Sequence, residues 1–95
     1  MIPVTLWFKW PSGAELAVKG FLNAIPRVGD EVTEDSASLY NWTVTNTNHH
    51  LIPANREVWI DLELTQDQEW SKQDRVAMRK QLEKAGWDVI SEVDS

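Results

Sequence analysis

Along residues 3–10 apolar and polar side chains alternate. Val4, Leu6, Phe8 and Trp10 fall on one face, and Thr5, Trp7 and Lys9 on the other. Period two over this length predicts a half-buried strand. Pro11-Ser12-Gly13 reads as a turn. Residues 14–25 then alternate again, with Leu16, Val18 and Leu22 opposite Glu15, Lys19 and Phe21, so the two runs read as a hairpin. Gly20 interrupts the second run, and an isolated glycine in a strand predicts a bend or bulge. The next stretch, Ile25-Pro26-Arg27-Val28-Gly29-Asp30-Glu31-Val32, reads as the corner where the sheet folds back. Its proline fixes its own φ, and Gly-Asp makes a tight turn into a short strand.

Residues 34–38 are small and polar and read as a loop. Tyr40, Trp42 and Val44 alternate with Asn41, Thr43 and Thr45, a β-branched and aromatic mixture that favours a strand. Residues 46–56, with His49, His50 and Pro53, read as the longest irregular stretch. Val58, Ile60, Leu62 and Leu64 then alternate with Glu57, Trp59, Asp61 and Glu63, the clearest strand pattern in the chain. Beyond it, Ser71 with Asp74 fits a capping box, with Thr65 and Gln68 as a rival start. Met78, Leu82 and Ala85 are spaced i, i+4, i+7, with Val76 at the edge of the stripe. Gly86 suits the left-handed position after a helix, and Trp87 would pack back on Leu82. Residues 87–93 alternate once more, as a last strand or a tail.

Strands followed by one helix define an α+β class. The expected architecture is a small bent antiparallel sheet or partly open barrel of four to five strands. One C-terminal helix packs on it, and residues 1–95 form a single domain. The Ile25–Val32 run, with Tyr40-Asn41-Trp42-Thr43-Val44 and Val58–Leu64 behind it, resembles a pattern in small uncharacterised bacterial and phage proteins with barrel-like sheets. The likeness spans residues 25–64. It implies a barrel-like corner and carries no activity, so it assigns no functional residue.

The chain has no cysteine, which excludes disulfides, thiolate catalysis and cysteine-ligated zinc. Its net charge of −6 argues against a broad, sequence-independent grip on nucleic acid. The charge is unevenly spread. Residues 1–64 hold four basic and eight acidic side chains, whereas residues 71–86 hold five basic and two acidic. An acidic body therefore carries one basic helix. The N-terminal stretch has no signal-peptide pattern and no apolar run reaches membrane-spanning length, so a cytoplasmic setting without a membrane partner is expected.

Candidate chemistry is sparse. His49 and His50 are adjacent, so on an extended chain they point opposite ways, and no third ligand stands at a telling spacing. Asp61 and Glu63 share a strand face and have acid–base geometry in principle, but acids on a polar face are what solubility alone requires. There is no nucleophile elbow and no glycine-rich phosphate loop. No enzyme activity, metal or other cofactor is expected.

The six tryptophans are more informative. Trp10 and Trp42 fall on inward faces, and Trp87 has a capping role. Trp7 and Trp59 lie on the opposite face of their strands, beside Lys9, Asp61 and Glu63. Two arrangements compete: a helix packed over them as its platform, or an open face with two tryptophans among charges. The rarity of large exposed apolar patches on monomers favours the platform. The open face would suit a protein partner, because tryptophan is enriched at binding hot spots. Lys72, Arg75 and Arg79 line one helical face, for which a solvated surface is the default reading, while the small cost of like charges at i, i+4 hints at a docking role. The expectation is a small acidic interaction module, a regulator or inhibitor of a larger protein, working through Trp7, Trp59, Arg75 and Arg79. The alternative is a nucleic-acid contact by the basic face of residues 71–86. The chain is expected as a monomer, or as a homodimer paired through Ile2–Trp10 as an unprotected edge.

Overall fold

The computed structural model describes residues 1–32, 42–49, 58–64 and 70–93. The alternating runs become β1 (Ile2–Lys9), β2 (Glu15–Leu22), β3 (Glu31–Val32), β4 (Trp42–His49) and β5 (Val58–Leu64). A helix, α1 (Lys72–Lys84), follows, and β6 (Asp88–Val93) comes after it. One sheet holds all six strands in the order β3-β4-β5-β1-β2-β6. This corrects the expectation in three respects. The sheet has six strands, it is open at β3 and β6, and it is mixed, because β1 runs parallel to β5. The helix lies before the last strand, and residues 88–93 are that strand, not a tail. The Ile2–Trp10 edge is also overturned, since β1 sits at the centre with its backbone paired on both sides.

The β1–β2 hairpin closes through Trp10, whose N–H donates to the Ala14 carbonyl at 3.0 Å and whose carbonyl accepts from Gly13 N–H at 3.0 Å. Register pairs Leu6 with Val18 and Phe8 with Leu16, so the apolar positions of both strands share a face. Val58, Ile60 and Leu62 join them from β5, with Trp42 and Val44 from β4. Burying side chains of this size contributes about 1.5–3 kcal/mol each. At one end of this face Trp42 packs edge-on against Phe8 and Trp10, with ring centroids 4.9 and 5.3 Å away. Trp70, to which the sequence assigned no role, packs against Trp10 at 5.6 Å and Trp42 at 6.0 Å.

Two segments cover the apolar face. Residues 23–30 cross it from β2 to β3, and α1 crosses it on the way from β5 to β6. The first is pinned by its corner. Asp30 N–H donates to the Arg27 carbonyl at 2.9 Å, and Gly29 holds φ at 96°, the left-handed value this turn requires. Gly29 N–H then donates to the Val44 carbonyl at 2.8 Å, docking the turn on β4.

Helix α1 starts with the expected capping box. Ser71 Oγ accepts from Asp74 N–H at 3.1 Å and Asp74 Oδ2 accepts from Ser71 N–H at 3.0 Å. The rival start at Thr65 and Gln68 lies outside the described residues. At the other end Trp87 N–H donates to the Leu82 carbonyl at 2.9 Å and Gly86 N–H to Glu83 at 3.0 Å, with Gly86 at φ 101°. This is the expected Schellman ending. The buried stripe is shorter than its spacing predicted: Met78 and Leu82 are buried, whereas Ala85, the C-cap, is exposed.

Gly20 proves to serve a close approach. Its pairing with Val4 is regular, and the bulge lies elsewhere, in β6 at Ile90 opposite Ala17 and Val18. A Cβ at Gly20 would sit 2.6 Å from Cζ3 of Trp87. β4 also runs on to His49 through a stretch expected to be irregular, with a bulge between Val44 and Asn46.

Candidate functional site

The helix packs on the Leu6 face of the sheet: Met78 and Leu82 belong to the same buried cluster as Leu6, Phe8, Ile60 and Leu62. The platform arrangement for Trp7 and Trp59 is therefore overturned. Side chains alternate along a strand, so Trp7 and Trp59 project from the face opposite the helix. Their strands are adjacent, with Thr5 beside Trp59 and Trp7 beside Asp61 in the parallel register. Their ring centroids stand 6.1 Å apart at an interplanar angle of 49°.

The surroundings of this pair follow from the pairing. Trp7 is flanked by Ala17 and Asp61, and Thr5 by Lys19 and Trp59. Asn48 pairs with Trp59 from the β4 side. The small Thr5 and Ala17 are buried among these larger neighbours, while Trp59 remains 40% exposed. Lys9 Nζ lies 3.6 Å from Asp61 Oδ2, so the charges at this end are partly matched. Phe21 extends the same face beyond Lys19 and is 59% exposed. Sequence alternation placed Phe21 on that side but did not single it out. Asn48 was hidden because it fell in the stretch expected to be a loop.

Arg75 and Arg79 do not join the tryptophans. They lie on α1, across the sheet from Trp7 and Trp59. Arg75 Nη1 donates to the Trp70 carbonyl at 3.3 Å, tying the helix start to the aromatic cluster. Arg79 Nε stands 3.5 Å from Glu92 Oε2 and 3.8 Å from Glu83 Oε1. Glu92 pairs with Leu16 on the helix-facing side of β6, so this contact joins helix to strand. The four residues grouped by sequence as partner-binding thus divide into an aromatic pair on one face and two helix anchors on the other.

Among the remaining candidates His49 stands apart from the acidic pair. Asp61 and Glu63 share the tryptophan face. His49 pairs with Val58, five positions from Glu63 and therefore roughly 17 Å along the strand. His50 lies outside the described residues. Among the described residues no three His, Asp or Glu side chains gather in a way that could hold a metal ion, and no helix is long and apolar enough to cross a membrane. No known protein family, curated protein or solved structure matches the chain.

Proposed function

We propose that the chain is a small, non-enzymatic protein-interaction module that docks on a larger protein through the face carrying Trp7 and Trp59, as a regulator or inhibitor does. One observation carries this reading: the tilted tryptophan pair stands on the sheet face opposite the helix, with Trp59 substantially exposed. Large aromatic surfaces set among polar neighbours are what binding hot spots use. The central strands β1 and β5 give the pair a rigid base, so little conformational entropy would be lost on docking. Exposed Phe21 enlarges the apolar area, and Lys9, Asp61 and Glu63 supply a polar rim.

The basic helix face supports the nucleic-acid alternative less well. Arg75 and Arg79 are engaged with Trp70, Glu83 and Glu92, and the chain as a whole carries −6. The test is affinity capture from source lysate with and without nuclease, using wild type, Trp59→Ala and Arg75→Glu/Arg79→Glu. The interaction module requires a discrete protein that survives nuclease and is lost with Trp59→Ala. Nucleic acid lost only on charge reversal would replace it with the alternative.

A further inference from the structure

Between the two segments that cover the apolar face, the structure leaves a gap. It is a cavity of about 120 Å³. Its floor is the sheet itself, through Leu6, Phe8, Ile60 and Leu62, all buried. One wall is the helix end, Leu82 with Trp87. The other is Pro26 of the crossing segment with Val32 of β3, and Leu22 at the end of β2 closes a third side. Leu22, Pro26, Val32 and Trp87 at its rim are half-buried, in contrast to the buried floor.

Both walls are held in place independently of anything in the cavity. Trp87 is fixed by its N–H bond to the Leu82 carbonyl and by the approach of its ring to Gly20. The opposite wall is fixed by the turn at Gly29, which docks on Val44. These contacts hold the backbone of both walls in place around the gap. A cavity of roughly 150 Å³ lined by aliphatic and aromatic side chains stays dry and takes up benzene. This one is comparable, and every described residue lining it is apolar.

We propose that this cavity is a binding site for a small uncharged apolar ligand, of benzene size or slightly less, held without hydrogen bonds. The site is independent of the Trp7–Trp59 face, which lies on the other side of the sheet. A hydroxyl on the ligand would be left without a partner inside, so polarity should count against binding.

The test is a benzene titration of the full chain followed by methyl and indole NMR signals, with phenol as the polar counterpart. Saturable shifts are expected at Leu6, Leu62, Leu82 and Trp87, with phenol weaker by about tenfold or more. Val32→Phe and Leu22→Phe fill the mouth from opposite sides, and each should weaken benzene by about tenfold or more. The wild-type titration decides the matter even if a variant fails to fold. No saturable shift up to the solubility limit of benzene would overturn the proposal. So would shifts confined to Trp7 and Trp59, equal affinity for phenol, or undiminished binding by folded filling variants.

Discussion

The indole of Trp87 lies against the backbone of Gly20, with no room between them for a Cβ. Gly20 faces the helix side of β2, so any side chain there points at the ring. Gly20→Ala should therefore destabilise the fold by about 1–3 kcal/mol through overpacking. Urea unfolding followed by tryptophan fluorescence would show a lower midpoint with an unchanged slope. An unchanged midpoint would mean that the ring is not seated there.

The start of α1 rests on the reciprocal bonds between Ser71 and Asp74. Ser71→Ala should cost about 1 kcal/mol, whereas Ser71→Asp, which keeps an acceptor, should cost less. Equal losses for the two substitutions in thermal unfolding would contradict the capping role.

Trp42 and Trp59 should separate cleanly by stability. Trp42 is fully buried against Phe8 and Trp10, and Trp42→Ala should cost about 3–5 kcal/mol. Trp59, partly exposed on the opposite face, should cost roughly half as much or less. Equal costs in denaturant titrations would indicate that Trp59 is core.

How far the sequence showed these features depends on whether they are local. The alternation of Val4–Trp10 and Val58–Leu64, the Ser71 cap and the Gly86–Trp87 ending are decided within a few residues, and all four stand as read. The parallel pairing of β1 with β5 joins residues more than fifty positions apart, and alternation says nothing about a strand's neighbour or direction. For the same reason the sequence did not decide which face the helix would take. With Val4 and Leu6 on one side of β1 and Trp7 on the other, only the crossing from β5 to β6 settles it. Composition misled at Asn46–His49. Polar residues there read as a loop, but backbone pairing with β5 keeps them extended. Trp70 escaped notice because its role depends on meeting Trp10 and Trp42 from distant parts of the chain.

Arg79 and Glu92 join α1 to β6 across a partly exposed gap of 3.5 Å. A double-mutant cycle with Arg79→Met and Glu92→Gln should give a coupling of about 0.2–1 kcal/mol. The coupling should shrink between low and high salt, as it does for exposed pairs. A salt-independent coupling of several kcal/mol would contradict this arrangement.

In the proposed function Trp7 and Trp59 form the docking face while the helix arginines serve the fold. The most direct measurement of this division is a calorimetric titration of the purified protein partner identified by capture, under conditions where every variant is folded. Trp59→Ala should lower the affinity by about a hundredfold, as for a hot-spot residue, whereas Arg79→Met and Trp42→Phe should largely keep it. Unchanged affinity for Trp59→Ala, or loss confined to Arg79→Met, would contradict the proposal.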